Sequence, residues 1–532
     1  MNDAAVDHSE GVGVVTPVAP VGDPAVPSRR QRASAVVRAH PVLCLLGAEL
    51  WAAYAAYQVW VVVTGPIGVW NDTFAYVSVA RSPLVSAGLL AGRRPPLLPL
   101  VWKATGSWSG FAVTQTVVSI AAWTLLAAVA ALVVRPGWTR LVAWAAVLAF
   151  ASCWPVTEWN WNVLTDSLAV SATAVISAAA LLLVRRPTVP AALLLIGACL
   201  VAVADRDQVI WVVAPVGMVL GVWGAVRMVR RRSAGDRGTR ILLVLGIGLV
   251  AVAGVAEVGA ATAHRNVVNM EDVFVVRVFP FPARVQWFAA HGMPEADRID
   301  TVAAATPVTP GKAEVVGLDL GSPEFRALDA WFTDRSQAAY TEYLVTHPGY
   351  VLSAPFDRPE LTFNNADGNL AGYGGLVRPD PTNHALPLLP RLFFPAWPVV
   401  LGSGIAAAAL VVVRRGRWRQ LGVLAALVAA GLWSMLTAWH GDGEEIGRHT
   451  LEGMVQVRVA VLVLVLLAVL GPAERRVAAR PEVSDRAGPV PGPAAAVVMD
   501  PPVDPSTDAG DRPGAQPSAT RSRALHRSST RP

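Results

Sequence analysis

Residues 41–64 read PVLCLLGAELWAAYAAYQVWVVVT, and residues 70–76, which follow after a short break, read WNDTFAY. The first stretch carries a single carboxylate, Glu49, and exceeds the ~20 apolar residues that one membrane-crossing helix needs. By the positive-inside rule, arginines just before this stretch keep the N-terminus in the cytoplasm, so Asp72 is predicted to lie outside. These arginines are Arg29, Arg30, Arg32 and Arg38.

The composition of the whole chain is that of a membrane protein. Of its 532 residues, 54% are hydrophobic and only 15% are charged, with a mean hydropathy of +0.46. A soluble protein of this size normally carries about 25% charged residues. The net charge of +6 comes almost wholly from arginines in short clusters between apolar runs, which indicates topology signals rather than a nucleic-acid surface. The sequence therefore predicts an all-α polytopic membrane protein.

Further apolar runs follow the first one, near 111–134, 141–156, 164–184, 190–204, 209–226, 241–263, 397–413, 421–438 and 454–471. Arginine clusters fall on every second connection between these runs, and acids and tryptophans fall on the others. This alternation predicts about ten transmembrane helices, with both termini in the cytoplasm. The predicted parts are a disordered N-terminus (1–40), transmembrane helices one to seven (41–263), an inserted domain (264–395), helices eight to ten (396–471) and a disordered tail (472–532).

The connection between the seventh and eighth apolar runs is far longer than an ordinary loop, at roughly 130 residues. Its composition is that of a soluble domain, so it is predicted to fold as a small extracytoplasmic α or α/β domain. The run VFVVRVF at 273–279 is strand-like, and residues 323–346 carry helix-like patterns. A stretch rich in Gly and Asn follows at 364–369.

Asp72 is the first candidate for chemistry. It lies in the first external loop, residues 65–110, which also carries Arg93 and Arg94. A carboxylate at the interface can act as a general base toward an acceptor hydroxyl, and guanidinium groups pair with phosphate oxygens. The alternative is structural, because Asp72 and its neighbours are of the types that cap a helix beginning at Phe74. The two interpretations are compatible, and the sequence leaves both open.

Two further candidates lie on connections assigned to the same outer side. Asp166 enters the membrane with the fourth apolar run, where an acid is costly unless it faces a polar cavity. Its alternative role, shared with Thr165, is that of a helix N-cap. Arg206 stands in the triplet Asp205-Arg206-Asp207 between two apolar runs. It either points inward as a phosphate ligand or belongs to a self-compensated charge triplet.

The last external connection, residues 440–449, is rich in ionisable groups. A helix from Glu444 would place Glu445, Arg448 and His449 on one face, at spacings i, i+3 and i+4. These side chains suit a site for phosphate or pyrophosphate. The spacing matches no zinc motif, so no metal site is predicted, and a plain Glu445–Arg448 surface pair is the structural alternative.

These candidates share a predicted side of the membrane. The charge alternation assigns to the outer side five residues from four separate connections: Asp72, Asp166, Arg206, Arg448 and His449. Helix packing is therefore expected to gather them around one cavity. Few ionisable residues stand in the middles of the apolar runs, which argues against an ion or proton path through the bilayer.

Several short motifs support a resemblance to a known superfamily. They are Asp72 after the first run, RRPPLLP at 93–99, and Leu164-Thr165-Asp166 opening a later run. With these motifs the chain resembles the GT-C superfamily of membrane glycosyltransferases, which includes protein O-mannosyltransferases and lipid A aminoarabinose transferases. The chain is also similar to actinobacterial membrane proteins of the same layout in RVFP at 277–280, WF at 287–288, GMP at 292–294 and the stretch 441–449.

The resemblance implies that a polyprenyl-phosphate sugar is the donor substrate and that an acid of the first external loop is catalytic. Carried over, Asp72 is the general base and Asp166 is a second acid. The residues that would bind the substrate and its phosphate are Arg93, Arg94, Arg206, Glu445, Arg448 and His449. The first loop holds a single acid rather than an adjacent pair, so a divalent cation as cofactor stays open.

The function predicted from this resemblance is inverting transfer of a sugar to an extracytoplasmic acceptor at the bacterial inner membrane. The expected partners are membrane lipids and the lipid-linked donor, with no nucleic acid, and the oligomeric state stays open. The alternatives are a transporter or flippase of a lipid-linked envelope precursor, and a non-catalytic envelope protein. A transporter is expected to show polar residues at mid-membrane or broken helices in paired halves, and the sequence shows neither clearly.

Overall fold

A computed structural model describes residues 40–231, 237–305, 322–357, 359–363, 375–377, 386, 388–415, 418–443 and 446–471. The disorder predicted at both ends of the chain lies outside the described residues. The Gly/Asn-rich stretch at 364–369 and the candidate Glu445 lie outside them as well.

Almost every described element is a helix. The first part of the chain forms α1 (Pro41–Thr64), α2 (Asn71–Ala80), α3 (Ala87–Leu90), α4 (Leu97–Thr105), α5 (Trp108–Val133), α6 (Trp138–Ala151), α7 (Trp154–Thr157), α8 (Asp166–Arg185), α9 (Val189–Asp205), α10 (Ile210–Arg231) and α11 (Arg237–Thr262). The inserted segment forms α12 (Asn266–Arg277), α13 (Pro282–Ala290), α14 (Ala296–Ala305), α15 (Arg326–Asp334), α16 (Ser336–Thr346), α17 (Pro348–Ser353), α18 (Pro359–Phe363) and α19 (Leu388–Phe393). The chain then forms α20 (Trp397–Arg415), α21 (Trp418–Gly441), α22 (Ile446–His449) and α23 (Leu451–Leu470).

Seven of the described helices are long and apolar enough to cross a membrane: α1, α5, α8, α10, α11, α21 and α23. Helix α6 and the segment Trp154–Trp161 form an eighth candidate, bent by 66° at its break. Helices α9 and α20 are apolar but shorter than the ~20 residues of a full crossing. The chain is thus an all-α polytopic membrane protein with seven or eight candidate spans, where the sequence predicts about ten.

The inserted segment is helical where the sequence predicted a strand. The expected strand over 273–279 is wrong, because most of that run belongs to α12. Its buried residues Met270, Phe274 and Arg277 recur at spacings of four and three, which turns one helix face toward the core. Periodicity alone does not separate a short apolar strand from a buried helix. The helix-like patterns at 323–346 correspond to α15 and α16.

Helices α8 and α23 form the centre of the membrane part. Most of their side chains are buried, whereas α1 buries only Tyr54, Gln58 and Val61. Helix α23 lies close against α21, since a Cβ added to Gly453 would stand 2.6 Å from the carbonyl oxygen of Gly431. Small residues at such crossings let two membrane helices gain backbone contact.

Two short strands are also described. β1 (Val69–Trp70) and β2 (Gly375–Val377) pair antiparallel, with Val69 opposite Val377. The sequence did not predict them, because two or three residues carry no alternating pattern. Their pairing joins the first loop to the inserted segment.

A buried asparagine joins the first loop to the start of α8. Trp70 Nε1 donates to Asn162 Oδ1 at 2.9 Å, and Gln115 Nε2 donates to the Asn162 carbonyl oxygen at 2.8 Å. The Val163 N–H donates to the carbonyl oxygen of Gly68 at 2.9 Å. The beginnings of α2 and α8 are therefore held side by side.

Gly68 leaves no room for a side chain at this junction. A Cβ there would lie 1.9 Å from Asn162 Oδ1 and 2.9 Å from Trp70 Nε1. We expect Gly68→Ala to separate Asn162 from Trp70 and to lower the free energy of unfolding by about 1–3 kcal/mol, the usual cost of overpacking. Denaturant unfolding of the detergent-solubilised protein measures this change.

Gly197→Ala on α9 is the matched control. A Cβ at Gly197 meets nothing within 4 Å, and alanine is the better helix former by about 1 kcal/mol. We expect this variant to be as stable as the wild type or more stable. Equal unfolding midpoints for the two variants would contradict the structural role of Gly68.

Candidate functional site

Asp72 lies in the first turn of α2, and another residue caps that helix. The Trp70 N–H donates to Thr73 Oγ1 at 3.0 Å, and the Thr73 hydroxyl donates to the Val163 carbonyl oxygen at 2.8 Å. The helix begins three residues before Phe74, the start expected from the sequence. Because Thr73 makes the capping bond, capping does not account for Asp72.

Two guanidinium groups hold the Asp72 carboxylate. Arg94 Nη2 lies 2.5 Å from Asp72 Oδ1, and Arg448 Nη2 lies 3.2 Å from Oδ2. Arg94 comes from the segment before α4, whereas Arg448 comes from α22, which precedes the last long helix. The fold thus brings the first loop and the last connection together at one carboxylate.

Asp166 begins α8, and its side chain is fully buried. Its Oδ1 accepts a hydrogen bond from Arg206 Nη2, and its Oδ2 lies 3.3 Å from Arg448 Nε. Thr165, the N-cap residue, makes no capping bond, and its hydroxyl accepts a bond from Arg206 Nε at 3.2 Å. The geometry therefore favours ion pairing over capping for Asp166.

Arg206 turns away from its acidic neighbours in the sequence. Besides Asp166, it approaches Glu452, with 3.6 Å between Arg206 Nη1 and Glu452 Oε2. Asp207 pairs with Arg265 instead, at 3.1 Å between Oδ2 and Nε. The ion pairs of Arg206 and Asp207 thus lie outside the triplet and Arg206 points inward, although the charge of buried Asp205 also acts on Arg206.

His449 joins the same network through a glutamine. His449 Nδ1 lies 3.1 Å from Gln208 Oε1, and its Nε2 lies 3.0 Å from Asp442 Oδ2. Gln208 Nε2 donates to Glu452 Oε1 at 2.9 Å and to the His449 carbonyl oxygen at 3.0 Å. Hydrogen bonds and ion pairs thus run without a break from Asp442 to Asp72.

Arg93 stands apart from this network. Its side chain is exposed and forms no ion pair within the described part of the chain. Lys103, also in the first loop, donates to the carbonyl oxygens of Ala80 and Ser82 at 2.9 Å each, so it closes the end of α2. The structure brings together six of the predicted site residues: Asp72, Arg94, Asp166, Arg206, Arg448 and His449.

Three residues around the network were not predicted: Tyr76, Gln208 and Glu452. Tyr76 follows Asp72 by four residues, and Glu452 follows Arg448 by four. The i, i+4 spacing that places residues on one helix face was therefore a usable signal for both. Gln208 gave no such signal, because it stands in a short 3-10 turn after α9.

Tyr76 lies beneath Arg94 and supplies a neutral hydroxyl. The Arg94 guanidinium carbon is 5.4 Å from the centroid of the Tyr76 ring, and the ring is buried. Burial, reinforced by the charge of Asp72, raises the pKa of the Tyr76 hydroxyl above its ordinary value of 10.0. The phenol therefore remains protonated at neutral pH and can donate a hydrogen bond.

Access to the network narrows from Arg94 inward. Side-chain exposure is 32% for Arg94, 17% for Asp72, 5% for Arg448 and 0% for Asp166. On this side of the network a ligand meets Arg94 and Asp72 first, whereas His449, at the other end, is 19% exposed. The charges behind them are buried in pairs, which fixes their positions.

This arrangement suits phosphate binding and proton transfer. Guanidinium groups present forked donors that match phosphate oxygens, and a partly exposed carboxylate can accept a proton. In the described segments, no group of three or more His, Cys, Asp or Glu side chains is arranged to hold a metal ion. Arginines pair with Asp72, Asp166 and Glu452, and His449 pairs with Asp442.

Comparisons with known proteins do not identify a relative. No family model matches the chain, no curated protein matches its sequence, and no solved structure matches its fold. The GT-C resemblance therefore rests on the motifs quoted above, and the chemistry of the site must be inferred from its own geometry.

Asp166 is the residue whose replacement should destabilise the network most, since one carboxylate serves two buried guanidinium groups. Asp166→Asn keeps the side-chain shape but leaves Arg206 and Arg448 short of negative charge. We expect the free energy of unfolding to fall by about 3–5 kcal/mol, the usual cost of removing one partner of a buried pair. Denaturant unfolding in detergent measures the loss.

Asp334→Asn is the control, because Asp334 is an exposed acid at the end of α15. Its effect should stay within ~0.5 kcal/mol of the wild type, as for most surface changes. If both variants unfold at the wild-type midpoint, the ion pairs of Asp166 do not stabilise the fold.

Proposed function

We propose that the chain is a GT-C-type glycosyltransferase of the bacterial inner membrane. It transfers a sugar from a polyprenyl-phosphate donor to an extracytoplasmic acceptor. One observation carries the proposal: the partly exposed Asp72 carboxylate lies between two guanidinium groups, 2.5 Å from Arg94 and 3.2 Å from Arg448. The carboxylate that would act as the base thus lies beside the two arginines that would bind the phosphate.

In this proposal, ten apolar helices cross the bilayer, including the shorter α6, α9 and α20: α1, α5, α6, α8, α9, α10, α11, α20, α21 and α23. The distribution of arginines supports an external site. Arg135 follows α5 and donates to the carbonyl oxygen of Gly471 at the far end of α23, whereas Glu452 of the network lies at the near end. More arginines lie in the last turns of α8 and α10 or directly after α8, at Arg185, Arg186, Arg227, Arg230 and Arg231. The positive-inside rule makes this arginine-rich end cytoplasmic and the network external.

The reaction is a single displacement. The acceptor hydroxyl gives its proton to Asp72 while its oxygen attacks the anomeric carbon, and the bond from that carbon to the phosphate oxygen breaks. The polyprenyl phosphate leaves with the electron pair, and Arg94 and Arg448 stabilise its negative charge. Because attack and departure take place on opposite faces of the sugar, the configuration at the anomeric carbon inverts.

Arg94 is the residue best placed to exchange partners. It is the most exposed arginine of the network and lies at its entrance. When the donor binds, Arg94 turns from Asp72 to the phosphate, and the carboxylate is left free on one side for the acceptor hydroxyl. Asp166 is buried away from substrates, so it acts as a positioning residue for Arg448 rather than as a second catalytic acid.

Asp72→Asn tests the proposal directly. The amide keeps the shape of the side chain but cannot accept the proton. We expect the initial rate of sugar transfer to fall by about 10²–10⁴-fold, the usual contribution of a general base. The assay follows radiolabel from a panel of polyprenyl-phosphate hexoses and pentoses into acceptors in membranes that contain equal amounts of each protein.

Asp334→Asn, which changes an exposed acid far from Asp72 in the sequence, should transfer at the wild-type rate. Wild-type transfer by Asp72→Asn at the wild-type protein level would remove Asp72 from the mechanism. Transport of the lipid-linked donor across reconstituted vesicles, without any transfer, would establish the flippase alternative instead.

A further inference from the structure

A buried arginine lies in the membrane part, apart from the network around Asp72. Arg458 is on α23 and is only 3% exposed. At 1.5 Å of rise and 100° of rotation per residue, it stands about 9 Å along the helix from Glu452 and about 120° around it. Arg458 therefore faces a different part of the molecule.

Carbonyl groups and an aromatic ring surround Arg458. Its Nη2 donates to the Phe363 carbonyl oxygen at 3.1 Å and to that of Pro395 at 3.4 Å. The guanidinium carbon lies 5.2 Å from the centroid of the Phe394 ring. Its Nε and Nη1 are buried and have no hydrogen-bond partner among the described residues.

A purely structural role does not account for these two nitrogens. Nη2 alone makes both carbonyl bonds, which tie Phe363 of α18 and Pro395, between α19 and α20, to α23. Burying a guanidinium in a membrane protein is costly unless its donors are bonded and its charge is compensated. The Phe394 ring offsets part of this cost through a cation–π contact. An anion with several oxygens would satisfy the remaining donors and supply the missing charge.

The surface beside Arg458 indicates where such an anion comes from. On α19, Leu388 and Leu392 are 72% and 67% exposed, whereas Leu389 and Phe393 pack against the core. The same exposed face carries Arg391, and a short helix with exposed leucines beside an arginine is typical of an element that lies at a lipid surface. The same connection supplies the Pro395 carbonyl oxygen, so a lipid against α19 has its headgroup near Arg458.

We propose that Arg458 binds the phosphate group of a membrane lipid whose chains lie along α19. The phosphate oxygens accept hydrogen bonds from Nε and Nη1, while Nη2 keeps its carbonyl partners. Arg458 is buried, so the lipid must displace part of the protein that covers the guanidinium. Helix α19, which is only six residues long, is the element expected to shift. Phospholipids and polyprenyl phosphates carry the same group, so both are candidate sources. This site does not depend on the proposed sugar transfer.

The wild-type protein alone provides the first test. The full chain is purified in a neutral detergent, and its Tm is followed while phosphatidylglycerol, undecaprenyl phosphate or diacylglycerol is added. A lipid that binds only the folded state raises the Tm in a saturable way. We expect a rise with at least one of the phosphate lipids and none with diacylglycerol, and the stronger of the two identifies the source. No phosphate-dependent rise would overturn the proposal without any variant.

Arg458→Met supplies the second test, because it removes the charge and keeps a long side chain. We expect its affinity for the active lipid to fall about tenfold or more, as for the loss of hydrogen bonds to a charged group. Arg326→Met is the control, since Arg326 is an exposed arginine on α15 and should bind like the wild type. Wild-type affinity in Arg458→Met would overturn the proposal.

Arg458→Lys keeps the test decisive if the methionine variant does not fold. Lysine retains the charge but presents a single ammonium instead of the guanidinium fork. We expect intermediate affinity for the phosphate lipid with this variant. If Arg458→Lys bound the lipid as tightly as the wild type, the proposal that both Nε and Nη1 bind the phosphate would be wrong. Sugar transfer is not part of any readout here, so failure of this proposal leaves the proposed reaction untouched.

Discussion

The pairing of Asp166 with Arg206 and Arg448 is the interaction on which the site depends. A fully buried carboxylate at the start of a membrane helix is stable only where counter-charges reach it, and here they come from two distant connections. Arg206 follows α9 and Arg448 precedes α23, so this one acid holds three helix ends together. Asp72 joins the group from the accessible side through Arg448. The packing at this end of the protein and the geometry of its exposed acid therefore have one physical origin.

Each arginine of the network pairs with at least one carboxylate. Asp72, Asp166 and Glu452 face three arginines: Arg94, Arg206 and Arg448. An incoming phosphate consequently binds by exchange, because it must take a guanidinium from a carboxylate that already holds it. Because Arg94 is the most exposed of the three arginines, breaking its ion pair with a carboxylate costs the least free energy.

The sequence predicted the long helices well, since an uninterrupted apolar run of about 20 residues forms a helix in a membrane whatever surrounds it. It also predicted which charged residues would gather, because alternating arginine clusters assign them to one side. Local patterns failed where distant contacts decide the structure. The Thr73 hydroxyl accepts a bond from the Trp70 N–H at the start of α2, as a capping residue should, but it also donates to the carbonyl oxygen of Val163, 90 residues further along the chain, which no local pattern predicts. Arg458 was overlooked because one cation hardly changes the mean hydropathy of an apolar run, and only the folded structure shows that two of its nitrogens are left without partners.

The inserted segment belongs to the framework of the site. Arg277, at the end of α12, donates to the carbonyl oxygen of Asp442 at 2.8 Å and lies 4.2 Å from the centroid of the Trp439 ring. A Cβ at Gly443 would stand 2.1 Å from the carbonyl oxygen of Asp272, so α12 lies directly against this connection. The connection continues into α22, which carries Arg448. A displacement of α12 would therefore move the arginine that holds both Asp72 and Asp166. Asp442 also pairs with His449, the neighbour of Arg448, at 3.0 Å between Oδ2 and Nε2, so direct contacts link the inserted segment to the site.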